Sequence, residues 1–227
     1  MSQTQYLGKM VGEGEVSPIT EKVEAIQQFP RPQTKTQVRR FLGMVNYYRD
    51  HITNLSMKSA PLTDLLKKSR PTKVIWNQEC DTAFRSLKSA LTSAPVLRIA
   101  DHSQPFYIQT DASEKAVGAV LTQKYDDKEH PIAFRSKKLT DTQQKWSTIE
   151  RELYAVVFGI EQFKYYIYGR HFVVQSDHKP LAWLQTMKNQ NSRLMRWSIL
   201  LQQYQFSVEH RSGKASANSD FVSRLVE

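Results

Sequence analysis

The sequence predicts an α/β domain preceded by a smaller, mainly helical region. Three observations predict it. Pro18, Pro30, Pro32, Pro61, Pro71 and Pro95 cut the first hundred residues into short pieces that read as helices. After Pro95 the apolar pattern changes to period two and to β-forming residues. A long amphipathic segment at 142–168 then separates three such strands from a fourth, which is the length a crossover helix needs.

Thr34-Lys35-Thr36-Gln37 has the form of a capping box, with Thr34 placed to accept from the backbone of Gln37. Val38, Leu42, Val45 and Tyr48 follow at helical spacing, which predicts a helix over 35–51. A second helix starts after Asn77, a good N-cap, and puts Ala83, Phe84, Leu87 and Leu91 on one stripe before Pro95. Strands at 105–110, 117–124 and 131–135 form an antiparallel meander, with the charged stretch 125–129 as a hairpin loop. On the amphipathic segment, Ile149, Leu153, Val156 or Val157, Ile160 and Phe163 are expected on the buried side. A strand at 171–175, helical segments at 179–202, a strand at 205–210 and a short helix at 217–225 complete the order. The joint between the two parts falls at 95–104.

Composition narrows the function. No apolar run approaches the roughly 18 residues of a membrane span; the longest is 153–160, and the first thirty residues lack a hydrophobic signal core. A soluble intracellular protein with no membrane partner is expected, in a cytoplasmic particle or the nucleus. The single cysteine, Cys80, excludes a disulfide framework and a multi-thiolate zinc site, and is read as a small packed apolar residue. The formal charge of +10 is uneven: residues 1–100 carry 15 basic and 8 acidic side chains, the remainder 17 and 14. A basic region beside a nearly balanced one suggests a grip on a polyanion attached to a part that needs carboxylates.

Those carboxylates occupy particular places. Asp111 ends the first strand after Pro95 and Asp177 ends the fourth. If these strands are parallel neighbours, both acids emerge at one sheet edge. Glu152 precedes the apolar Leu153 on the intervening helix, close to its buried face, and Asp220 lies on the last helix, which could fold over the same edge. Oxygen ligands converging there suit hard divalent cations such as Mg²⁺ or Mn²⁺. Singly, an Asp at a strand end is more commonly a turn former or helix cap, and a Glu on a helix a solvated charge. Only the joint arrangement points to a metal site.

The chain resembles the downstream portion of reverse transcriptases of gypsy-type LTR retrotransposons. The resemblance is carried in order by Tyr6-Leu7-Gly8, Phe41-Leu42-Gly43-Met44-Val45-Asn46-Tyr47-Tyr48-Arg49, Trp76, Ala83-Phe84, Leu87-Lys88 and Ala94-Pro95-Val96-Leu97. It continues through Thr110-Asp111-Ala112-Ser113, Val117-Gly118-Ala119-Val120-Leu121, Glu152-Leu153, Ser176-Asp177-His178-Lys179-Pro180-Leu181 and Asp220. It implies a ribonuclease H-like five-stranded mixed sheet flanked by helices at 101–227. Before it would come a helical thumb or connection at 19–100, and at 1–18 the end of the polymerase palm with its primer grip.

The resemblance further implies that Asp111, Glu152, Asp177 and Asp220 are catalytic metal ligands. They would hold two Mg²⁺ or Mn²⁺ roughly 4 Å apart, flanking the scissile phosphate of the RNA strand in an RNA–DNA hybrid. Asp111 would bridge the ions, Asp220 would serve the ion that activates water, and Glu152 and Asp177 the ion facing the leaving oxygen. His210 matches a loop histidine linked to product departure or proton transfer, and His178 adjoins the ligand Asp177. Phe221, beside Asp220, is bulkier than the family's usual residue. The Tyr-X-Asp-Asp turn of the polymerase active site has no counterpart, because Tyr125-Asp126-Asp127 lacks the spacer and sits in the hairpin loop. DNA synthesis by this chain alone is therefore not expected.

The hybrid is near A-form, and is gripped mainly through phosphates and 2′-hydroxyls. Arg31, Lys35, Arg39, Arg40, Lys67 and Lys68 around the first helix are the phosphate-contact candidates, joined by Arg135, Lys137, Arg193 and Arg196 in the second part. Other nucleic-acid duplexes and the polymerase part of a reverse transcriptase are further expected partners. The competing expectation is a non-catalytic nucleic-acid-binding fragment or an accessory subunit of a full-length reverse transcriptase.

Overall fold

A computed structural model describes residues 3–126, 128–177 and 192–211. The helical segment expected between 179 and 191, the terminal helix, His178, Asp220 and Phe221 lie outside these residues.

The chain opens with a structure the proline-delimited reading did not anticipate. Strands β1 (Thr4–Tyr6), β2 (Lys9–Gly12) and β3 (Glu15–Pro18) form an antiparallel sheet, and the later β4 (Leu97–Arg98) pairs with β3. The two hairpin turns are Leu7-Gly8 and Glu13-Gly14, each with both residues at positive φ, as a two-residue turn that follows the twist of its strands requires.

Helices α1 (Thr20–Gln27), α2 (Lys35–Tyr47), α3 (Leu55–Asp64) and α4 (Gln78–Thr92) follow, with a 3₁₀ turn at Arg49–His51. The Thr34/Gln37 capping box is present, and the Asn77 side chain accepts from the Cys80 amide at 2.9 Å. Phe41, rather than the expected Leu42, is buried on α2; it meets Phe84 of α4 at 4.5 Å between ring centres. Pro61 lies inside α3 and does not end a piece, as the sequence pattern suggested. Ile26, Val38, Phe41, Val45, Leu62, Phe84, Leu87 and Leu91, with the buried Cys80, form one hydrophobic core.

The second core lies under a five-stranded mixed sheet. Strands β5 (Phe106–Ala112), β6 (Ala116–Tyr125) and β7 (Lys128–Lys138) form the expected meander, and β8 (His171–Ser176) and β9 (Gln205–His210) complete the order β7-β6-β5-β8-β9. β5–β8 and β8–β9 are parallel, with Gln109 opposite Gln175. Capping boxes at Thr140/Gln143 and Ser147/Glu150 start α5 (Asp141–Gln144) and α6 (Thr148–Ile167); α7 is Ser192–Leu201. The amphipathic segment is thus broken near 145–147, which leaves Ile149 in the first turn of α6 and 38% exposed instead of buried.

Helix α6 crosses β5 and β6 closely because residue 159 is glycine. A Cβ there would stand 3.1 Å from Ala119 Cβ and Ile108 Cγ2 and 3.3 Å from Thr110 Cγ2. That close approach sets the depth of the helix carrying Glu152.

The two cores meet along β7. Ser56 of α3 exchanges hydrogen bonds with Ser136, donating from its amide to Oγ at 2.9 Å and from Oγ to the backbone carbonyl at 2.8 Å. Asp50 pairs with Arg135, and Asp64 with Lys138 at 2.9 Å. The edge strand of the sheet is thereby covered by protein instead of left open to another chain. Among the described residues no helix is long and apolar enough to cross a membrane.

Candidate active site

Parallel pairing of β5 with β8 runs in register to Gln109 and Gln175, so Asp111 and Asp177 stand two residues further on at the same sheet end. Both are exposed. Opposite Asp111 on β6 is Gly118, whose missing side chain leaves room for Asn54, the residue just before α3: a Cβ there would lie 2.8 Å from Asn54 Oδ1.

Glu152 approaches from behind. It sits one turn into α6, on the face turned to the sheet, and is 6% exposed. Its Oε2 is buried without a hydrogen-bond partner. A carboxylate so placed is poorly solvated. Burial first, then repulsion from Asp177 and Asp111, pushes its pKa up to about 7. Asp111 is raised in the same way, by desolvation and then by Asp177. The three acids thus act on one another electrostatically: a buried floor and two exposed lips. Among the described residues, however, no three His, Cys, Asp or Glu side chains are gathered closely enough to hold a metal ion as they stand.

His210 is the last residue of β9, opposite Ser176 in register, as the strand expected at 205–210 has it, and not in the loop that the resemblance implied. Its Nε2–H donates to the Asp177 backbone carbonyl at 3.1 Å, which places the ring at the acidic edge. Glu150, two residues before Glu152, is separated from it by its role as a cap: its carboxylate accepts from the Ser147 amide at 2.9 Å and pairs with Arg193 at 2.6 Å.

The cations read as phosphate contacts divide into two groups. Lys35 Nζ donates to the Lys67 and Arg70 carbonyls at 2.8 and 2.7 Å, Arg31 stacks over Trp76, and Lys67 pairs with Asp64 at 3.1 Å. Arg135 is held by Asp50, Lys137 donates to the Tyr154 hydroxyl at 2.7 Å, and Arg193 joins Glu150 while lying over Trp146. Each of these side chains has a partner within the fold, Arg31, Lys67 and Lys137 while still exposed. Arg39, Arg40, Lys68 and Arg196 remain exposed.

Comparison with known proteins agrees with this architecture. Residues 101–204 match the RNase H-like domain found in reverse transcriptase. The whole chain is 39% identical to the retrovirus-related Pol polyprotein from transposon 412 of Drosophila melanogaster, of which it spans 18%. It is thus a homologue of retrotransposon Pol polyproteins that matches less than a fifth of that relative's length. Among solved structures, the foamy viral protease-reverse transcriptase in complex with dsDNA superposes over 93% of this chain and 45% of its own, with a TM-score of 0.79 and 21% identity. The foamy viral protease-reverse transcriptase in complex with RNA/DNA hybrid gives 0.75 over 91% and 29%, with 22% identity. At that identity the likeness establishes the RNase H-like fold.

Proposed function

We propose that this homologue of retrotransposon Pol polyproteins is the thumb or connection (19–100) and ribonuclease H part (101–227) of a gypsy-type reverse transcriptase, with residues 1–18 the end of the palm. Its reaction would be endonucleolytic hydrolysis of the RNA strand of RNA–DNA hybrids. The observation that carries this reading is the convergence of Asp111, Glu152 and Asp177 at one end of the parallel pair β5–β8.

The acids fit divalent cations on two grounds. Glu152 Oε2 is a buried acceptor with no donor, and the mutual repulsion that lifts Glu152 and Asp111 is what a cation between them would relieve. Asp111, Glu152 and Asp177 would hold two Mg²⁺ or Mn²⁺, with Asp220 as a fourth ligand from outside the described residues. Bound there, the ions supply a water ionised near neutral pH and neutralise charge on the phosphate. The chain's own residues do the rest. Asp111 and Asp177 at the mouth set where a phosphodiester can lie, and Glu152 on the floor fixes the depth of approach. His210, exposed beside Asp177, is placed to exchange a proton with the departing product. Arg39, Arg40, Lys68 and Arg196 are exposed cations available to the duplex, Arg196 with its Nε–H donating to the Ser192 carbonyl at 3.2 Å, so affinity falls steeply with added salt.

A second reading, a non-catalytic nucleic-acid-binding fragment or accessory subunit, is supported by the exposed cations Arg39, Arg40 and Lys68, which binding without turnover would use equally. One assay separates the two. The purified chain is expected to cut the labelled RNA strand of a hybrid in Mg²⁺ or Mn²⁺, to spare the DNA strand, and to stop when the cation is chelated. Binding without cutting in either cation would favour the second reading.

A further inference from the structure

Away from the acidic edge, a cavity of about 260 Å³ opens between α3 and α4 and is closed on one side by Pro95. His51, Thr53, Lys58, Ser86, Ser89 and Ser93 line it. His51 is 1% exposed. Its Nδ1–H donates to the Pro95 carbonyl at 3.2 Å, which leaves Nε2 as the second ring nitrogen, buried and without a partner. Thr53 Oγ1 is likewise buried and unpartnered. Unsatisfied buried polar atoms cost stability, and two of them lining one cavity mark a place where a polar guest is accommodated.

The charge in the cavity indicates what kind of guest. Lys58 lies on the first turn of α3, and burial lowers its ammonium from the ordinary lysine range. Thr53 and Lys58 bracket the amino-terminal end of α3, where backbone amides add partial positive charge. Water could hydrogen-bond to these groups but would leave the ammonium uncompensated. An anion does both.

We propose that this cavity binds a phosphate-class oxyanion, held by the Lys58 ammonium, the Thr53 hydroxyl and a His51 ring that takes up a proton at Nε2 as the anion enters. The fixed Nδ1–H makes the neutral ring an acceptor at Nε2, and protonation turns it into a second donor. Of the groups facing His51, Lys9 opposes that protonation and Asp50 favours it, the ring of Tyr48 packs against the imidazole, and Lys58 lines the same cavity. An arriving anion tips this balance, so binding strengthens as pH falls. The cavity-bearing helix also touches the strands of the acidic edge: Met57, next to Lys58, lies 3.6 Å from Ser113 Oγ, two residues past Asp111. The oxyanion could thus come from a nucleic-acid backbone or from free phosphate.

The test uses the full chain and needs no cleavage. Inorganic phosphate is titrated while the His51 ring nitrogens are followed by NMR, in the parent and in Lys58→Met, which keeps the stem and removes the charge. Phosphate is expected to protonate His51 Nε2, and Lys58→Met to weaken the effect by about tenfold or more. Repeating the titration with a short RNA–DNA duplex assigns the source: the same shift points to the backbone, no shift to the free anion. A His51 ring unmoved by both phosphate and duplex, or equal phosphate binding by Lys58→Met, would overturn the proposal.

Discussion

Asp111→Asn is expected to lower cleavage of the RNA strand by at least about a thousandfold, equivalent to about 4 kcal/mol of barrier, while hybrid binding stays within a few fold. The substitution keeps the shape of the side chain and removes the charge a divalent cation needs. Asp111 is exposed at the end of β5, so the fold should not suffer. In the metal-free protein the change even removes a repulsive partner of Glu152. Single-turnover cleavage measured beside equilibrium hybrid binding separates the two effects. Equal cutting by parent and variant would end the metal-nuclease reading.

Glu152→Gln should raise stability. Glu152 titrates near 7 in the folded chain against 4.5 for an ordinary glutamate. The folded state therefore holds the proton more tightly than the unfolded state. Below the unfolded value both are protonated and nothing is lost, whereas stability declines as pH rises through the folded value. Above it the ionised form costs about 3 kcal/mol, an amount that glutamine, which cannot ionise, avoids. In chelator, the variant is expected to be more stable than the parent at pH 8 by up to about that much, with the advantage gone at pH 4. Urea unfolding at the two pH values checks it, and a variant no more stable at pH 8 would show that Glu152 is not destabilised in the way described. The same substitution should abolish cleavage. A site that is unstable when empty and stabilised by its ligand is a common consequence of placing function ahead of packing.

What the sequence showed and what it hid follow from the range of the interactions involved. Asp111 and Asp177 could be brought together in advance because two strands joined by a crossover helix pair in parallel, and parallel neighbours end at one edge. Glu152 could be placed because Leu153 fixes the phase of α6. The hairpins of β1–β3 were hidden because their strands are three or four residues long, β1 exposed and β2 and β3 only partly buried, so no apolar alternation marks them. Their signal was the pair Leu7-Gly8 and Glu13-Gly14, one turn residue set repeated within a few positions. Arg135 and Lys137 looked like phosphate ligands because charge alone was visible. Their partners, Asp50 and Tyr154, are 85 and 17 residues away in the chain. The His51 cavity was hidden for the same reason, since its walls come from α3, α4 and the segment leading to β4. His210 was legible as the end of the strand at 205–210, and only the resemblance put it in a loop.

The central claim is that Asp111, Glu152 and Asp177 share one field that a divalent cation neutralises. The most direct test follows the Glu152 side-chain carboxyl by ¹³C NMR through a pH titration, first in chelator and then in saturating Mg²⁺. The account predicts a midpoint of about 7 without metal and a fall to or below the ordinary glutamate range with it. An ordinary midpoint that Mg²⁺ does not move would contradict it.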